Sequence, residues 1–236
     1  MHAAIASTIA PKINVAAGMA VCKGLAREAT SRIMAVSTVQ KLAPGETLFA
    51  EGDEALGVYE VVAGMLQLYK LLPDGRRQIT GFLGAGQILG LAPEGGHVYS
   101  AEAITAVTLC RYKRAGFDRL IDEIPGLARR LLAVASHELR AAQDQMLLLG
   151  RKGAAEKVAS FLLLMAEQQG HEDEISVPMP RSDIADYLGL TVETVSRTFT
   201  KLKLQGLIAL PTSNHVQILD RDQLEDFASG QRGSEL

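Results

Sequence analysis

The stretch that most limits what this 236-residue chain can become is Arg181 to Gly206, RSDIADYLGLTVETVSRTFTKLKLQG. Gly189 interrupts it after one short helical run and allows the left-handed backbone that a sharp reversal between helices needs. Before the glycine, Ile184, Ala185 and Leu188 supply an inward face and Ser182 is a candidate N-cap; after it, Thr191 is the candidate cap of a second helix. In that helix Val192, Val195, Phe199 and Leu202 recur at spacings of three, four and three, which predicts that they face a core. The same geometry pushes Glu193, Ser196, Arg197 and Lys201 outward together. Two short helices in this relation make a helix-turn-helix.

A second helix with those outward residues suits the major groove of DNA. Arg197 can donate two bonds to guanine O6 and N7, Glu193 can accept from a cytosine amino group, and Ser196 can reach a base or a phosphate. Arg181, Thr191 and Thr198 are candidate phosphate contacts, with Thr194, Thr200 and Lys201 as weaker ones. A Glu and an Arg four apart on a helix also make an ordinary surface pair. The agreement of caps, turn and hydrophobic spacing is what favours base reading. After Gly206, LIALPTSNHVQILD reads as two short strands around a Pro-Thr-Ser-Asn turn, a wing hairpin. Net charge is −3, from 24 basic and 27 acidic residues, so DNA affinity must come from local placement and not from a global positive field.

From Val39 to Tyr112 short runs alternate with glycines, alternation is visible over Gln67 to Lys70 and Ala106 to Tyr112, and Pro73-Asp74-Gly75 has hairpin chemistry. Many short strands with close turns predict a small β-barrel or roll. After Tyr112 the pattern becomes helical, with a long helix ending at Gly150, a candidate C-cap. Leu127, Leu131, Val134, Ala135, Leu139, Ala142, Met146 and Leu149 form its apolar stripe. That stripe fits either a partner helix or the roll's own core, and more than twenty residues, about 30 Å or more of helix, favour pairing. Arg151-Lys152-Gly153 looks like a hinge. A further helix carries Val158, Phe161, Leu162 and Met165 and closes at Gly170, His171 to Glu174 is a solvated loop, and Ile175 to Pro178 a short strand. The expected class is α+β: a weakly ordered arm over 1–38, a β-roll over 39–116, a dimerisation helix region over 117–150 and a winged helix-turn-helix over 151–236.

Composition narrows the chemistry. With 47% hydrophobic residues the chain can bury ordinary cores and is expected to be soluble. Cys22 and Cys110 form neither a disulfide framework nor a zinc spacing, which suits a reducing cytoplasm. The first twenty residues are broken by Pro11, Lys12 and Asn14, unlike a signal peptide, and no apolar run is long enough to span a bilayer, so no membrane partner is expected. There is no P-loop, metal-ligand cluster or nucleophile motif, so no enzyme and no metal site is expected.

The segments DIADYLGLTVETVSR, LPDGRRQITGFLGAGQILGL and LLLGRKGAAEKVASFLL resemble the cyclic AMP receptor/FNR superfamily of bacterial transcription regulators, closest to its FNR and FixK branch, over roughly Gln40 to Asp220. The resemblance implies a homodimer with a β-roll like the cyclic-nucleotide-binding jelly roll, a long dimerisation helix and a winged helix-turn-helix. It implies that Glu193, Ser196 and Arg197 read a palindrome with TTGA and TCAA half-sites, in major grooves about 34 Å apart. It also implies an RNA polymerase contact at Asp74, Gly75, Arg76 and Arg77, positions that otherwise read as a solvated turn.

Departures from the family matter as much. Cyclic-AMP-binding members hold the nucleotide with a Gly-Glu-Leu stretch and an Arg-Ser pair; here Leu91 and Tyr99 stand where the glutamate and arginine belong. A buried phosphate without a cation is costly, so cyclic nucleotide is not expected. Iron–sulfur members use several N-terminal cysteines plus one in the roll, and Cys110 with Cys22 alone falls short of four ligands unless other groups complete a cluster or a dimer shares it. Cys110 is then a small buried hydrophobe or a redox-responsive thiol. No resident cofactor is expected. The implied function is an activator of low-oxygen genes, including respiration or nitrogen fixation, whose activity follows an upstream oxygen-sensing system. The alternative is gating by redox or by a small molecule or haem, for which His97 and His137 are the conceivable ligands.

Overall fold

The computed structural model describes residues 21–22, 25–91, 95–170 and 173–230. Residues 1–20 of the expected arm, and His171 and Glu172 of the expected loop, lie outside the described residues. Residues 21–22 and 25–38 of that arm are built into the fold. Helix α1 spans Arg27–Ala35 with Ile33 buried, and Val21 donates its amide to the buried carboxylate of Glu60 at 3.2 Å.

The roll contains β1 (Ser37–Leu42), β2 (Thr47–Phe49), β3 (Gly57–Ala63), β4 (Leu66–Leu71), β5 (Arg77–Leu83), β6 (Ile88–Leu89), β7 (Ser100–Ala103) and β8 (Val107–Lys113). These form two four-stranded antiparallel sheets, ordered β1-β8-β3-β6 and β2-β7-β4-β5. Leu66, Val61 and Leu109 fill the space between them. The first sheet is covered on its outer face too, where Val58, Cys110 and Tyr112 pack under α1, α2 (Arg114–Glu123) and the start of α3 (Leu127–Arg151). Burial on both faces explains why GVYEVV in β3 reads as a nearly continuous apolar run. Between β3 and β4 the chain turns at Gly64, φ +87°, where any Cβ would lie 2.3 Å from the Ala106 carbonyl. The β4–β5 hairpin closes as its turn residues predict: Gly75 takes φ +83° and Asp74 accepts from the Arg76 amide at 3.0 Å.

Helix α3 is 25 residues long, about 37 Å. It runs past Gly150, which is therefore not its C-cap, and breaks at Lys152, which is extended. Gly153 then opens α4 (Ala154–Gln169), its amide held by the Glu156 carboxylate at 2.9 Å. The head continues with β9 (Glu174–Ser176), α5 (Arg181–Leu188), α6 (Val192–Leu204), β10 (Ile208–Thr212), β11 (His215–Ile218) and α7 (Arg221–Ser229). Its sheet order is β10-β11-β9. Phe161, Leu162, Ile184, Val195 and Phe199 make its core, and Met65, Ile79 and Phe82 from the roll join the same cluster. The Phe82 ring lies 5.2 Å from Tyr187 and 6.0 Å from Phe161, so roll and head share an aromatic joint.

Candidate nucleic-acid interface

Helices α5 and α6 meet at Gly189, φ +60°, and the Leu190 amide closes the turn on the Ala185 carbonyl at 2.9 Å. Thr191 caps α6 as its residue type predicts, its hydroxyl accepting from the Thr194 amide at 3.2 Å. Ser182 is not the cap of α5. Pro180 holds that position, and Ser182 already lies inside the first turn, bonding the Asp183 carboxylate at 3.3 Å. Val195, Phe199 and Leu202 are buried, but Val192 is 42% exposed: the first turn of α6 protrudes beyond the core it was expected to join.

Glu193, Ser196 and Arg197 are all exposed on α6. Among the described residues Glu193 and Arg197 form no ion pair with each other, so both side chains are available on that face. Ser196, Arg197, Thr200 and Lys201 line one open groove along the helix together with Leu204 and Gln205. Leu204, 82% exposed, and Gln205 were not anticipated, although each lies four residues beyond Thr200 and Lys201 on the same face. Glu193 in the first turn and Lys201 and Lys203 in the last complement the helix dipole.

The phosphate candidates divide. Thr191 and Thr200 are exposed and Thr194 and Lys201 half-buried. Thr198 points inward: it is buried and donates to the Thr194 carbonyl at 2.8 Å, so its hydroxyl is neither accessible nor free. The Arg181 guanidinium lies 3.5 Å from the centroid of Phe199, a cation–π contact behind α6. Burial lowers its pKa, though arginine stays cationic from so high a start.

The long-helix stripe also divides. Leu127 is fully buried on the outer face of the roll, and Leu131 and Val134 pack beside it, so this end covers the chain's own core. Ala135, Leu139, Ala142, Met146 and Leu149 are exposed, with Leu139 at 60% and Met146 at 65%. Leu132, not singled out from the sequence, is also exposed and completes a strict three-four alternation from 132 to 149.

At the roll hairpin Asp74 and Arg76 pair with each other at 2.7 Å, and two bonds from Arg76, first its amide and then its side chain, hold the exposed Asp74 carboxyl below its usual range. Arg77 does not belong with them as a surface contact. Its Nη2 bonds Asp183 in the head at 2.7 Å, which leaves it facing inward.

Of the gating candidates Cys110 and His97 are packed away and His137 is not. Cys22 and Cys110 are buried in one apolar cluster, and burial pushes each thiol up to about 11. Both are held protonated at neutral pH, which favours Cys110 as a buried hydrophobe over a responsive thiol. His97 is buried and stacked on Phe49, ring centroids 3.5 Å apart, while His137 is exposed on α3. Ser100, beside Tyr99, is buried with its hydroxyl accepting from the Glu51 amide at 2.9 Å.

A β-roll, a long helix and a winged helix-turn-helix whose second helix displays acceptor and donor side chains define a DNA-reading regulator. Residues 156–227 match the Crp-like helix-turn-helix domain and residues 39–123 the cyclic nucleotide-binding domain. The nitrogen fixation regulation protein FixK of Bradyrhizobium diazoefficiens is 50% identical over 189 residues, which cover 78% of this chain and 79% of that protein. The transcriptional activatory protein AadR of Rhodopseudomonas palustris is 44% identical over 216 residues, 90% of each chain. The structure of FixK2 from Bradyrhizobium japonicum superposes with a TM-score of 0.77 at 40% identity, covering 81% of this chain and 97% of that one. The chain belongs to the cyclic AMP receptor/FNR superfamily, in its FixK-like branch. It is a DNA-binding transcription regulator and not an enzyme. Among the described residues no helix is long and apolar enough to cross a membrane.

Proposed function

We propose that this chain works in the cytoplasm as a homodimer that activates low-oxygen genes, including those of microaerobic respiration or nitrogen fixation, from a palindrome with TTGA and TCAA half-sites. The observation that carries the reading is the joint display of Glu193, Ser196 and Arg197, unpaired and exposed, on a helix whose head is hung from an exposed heptad seam. Leu132, Ala135, Leu139, Ala142, Met146 and Leu149 form that seam. Its alternating alanines let two helices approach closely while the larger side chains interlock. Two-fold pairing along it presents the two recognition helices to successive major grooves. Asp74, Gly75 and Arg76, exposed at the hairpin tip, are the surface offered to RNA polymerase.

Buried thiols and a roll unsuited to a cyclic phosphate favour a regulator whose activity follows its own synthesis. One observation supports the gated alternative: a cleft between roll and head, lined by Gly64, Thr105, Gln168 and Ser176, beside a buried Gln168 oxygen with no partner. An absorption spectrum of protein purified without oxygen separates haem, cluster and cofactor-free forms. The primary test is sedimentation with DNA binding: the wild type sediments as a dimer and prefers the palindrome, and Leu139→Asp gives monomers that lose that preference. A Leu139→Asp protein that still sediments as a dimer refutes the seam.

A further inference from the structure

Helix α5 ends at Gly189 with its last three carbonyls each held by a side chain from a different element. Gln78 Nε2, on β5, donates to the Asp186 carbonyl at 2.6 Å. Gln145 Nε2, on α3, donates to the Tyr187 carbonyl at 3.0 Å. Lys157 Nζ, on α4 and buried, donates to the Leu188 carbonyl at 3.1 Å, where the partial negative charge of the helix end favours a cation. At the other end of α5 the neighbour of Gln78, Arg77, pairs with the buried Asp183. The helix that backs the recognition helix is therefore tied at its C-terminal end to the roll, the long helix and the head, and at its first turn to the roll again.

We propose that Arg77, Gln78 and Gln145 are positioning residues for DNA recognition. They fix the angle at which each head presents α6, and hence the half-site separation that the dimer accepts. The proposal rests on the dimeric palindrome reading above. Roll and head also meet at the apolar joint of Met65, Ile79 and Phe82, which has no directional bonds, and the covalent link is the extended Lys152 with Gly153. Without the ties the joint can slide and the head can turn about that link. Removing Arg77 also leaves Asp183 with only the Ser182 hydroxyl as a polar side-chain partner, a poor substitute for a guanidinium. A helix terminus satisfied from three directions accepts one orientation, because any rotation lengthens at least one bond beyond useful range.

The test uses the full-length Arg77→Ala/Gln78→Ala protein with two readouts. The first is affinity for palindromes of native spacing and of spacing one base pair longer or shorter. The second, independent of DNA, is the rate of tryptic cleavage at Arg151 and Lys152. The expected result is a preference for native spacing reduced by about tenfold and faster hinge cleavage, with a lower melting temperature because the buried Asp183 loses its cation. Lys70→Ala, cross-strand from Gln78 but paired with Glu51, leaves both readouts as in the wild type. Unchanged spacing preference and unchanged cleavage overturn the proposal. So does equal weakening at every spacing, which marks a merely structural contact. If cleavage quickens while the wild type itself shows no spacing preference, the palindrome reading fails and the positioning role of the ties stands.

Discussion

Arg197→Ala separates base reading from phosphate contact. Arg197 is exposed and has no hydrogen bond or ion pair within the described residues, so its truncation leaves fold and dimer intact and any loss belongs to DNA. A bidentate contact to guanine discriminates by about 1–3 kcal/mol. A palindrome engages one Arg197 per half-site, so the variant loses about 2–6 kcal/mol on the full site, roughly 30-fold to about 10⁴-fold in Kd. Fluorescence anisotropy is read against three duplexes: the palindrome, one with a single half-site scrambled, and a random sequence. The loss should be about half as large in kcal/mol on the single half-site and near zero on random DNA. The salt slope on the palindrome should not change, because a base-reading arginine neutralises no phosphate. Equal loss on random DNA together with a shallower salt slope would falsify the assignment and make Arg197 a phosphate contact.

Thr191→Ala removes the cap on the Thr194 amide and should cost about 1 kcal/mol, lowering Tm by about 2–4 °C in a chain of this size; an unchanged thermal melt means that water caps the helix equally well. His97 gives a pH signature. Burial holds its pKa below the ordinary 6.5, with Arg114 adding to the depression and Asp53 opposing it. As pH falls below 6.5 the unfolded chain takes up a proton that the folded chain resists, so stability declines with acidification by about 1.4 kcal/mol for each unit of difference. Urea melts of His97→Gln between pH 5 and 7.5 should lack that component, and a slope identical to wild type assigns it to other groups.

What the sequence made legible was local. The α6 core face, its cap and the Gly189 turn follow from spacing within a dozen residues, and the β4–β5 turn from three. Thr198 was misjudged on residue type against the evidence of its own position, three after Val195 and four before Leu202, which puts it on the inward face. Leu127 was misjudged because one stripe served two partners: its first turns cover the roll and its later turns stay exposed. Arg77 could not have been read at all. Its partner lies 106 residues away, and only the packing of the roll on the head brings them within 2.7 Å.

The same packing bears on what the roll contributes in a chain whose two cysteines are buried. Helix α3 serves three parts of the molecule in succession: Leu127 closes the roll, the seam from Leu132 to Leu149 is exposed and is the face proposed for a second copy, and Gln145 holds the end of α5. Leu149 belongs to both of the last two, since a Cβ at Gly189 would lie 3.5 Å from its Cδ2. A change at the seam is therefore felt at the turn before α6 without passing through the hinge. The roll supplies the opposing anchor through Arg77, Gln78 and Phe82, so α5 is gripped between the long helix and the sheet. In that arrangement a roll needs no ligand to matter: under the proposed pairing of two long helices, it is the rigid counterpart that would fix how the two recognition helices are presented.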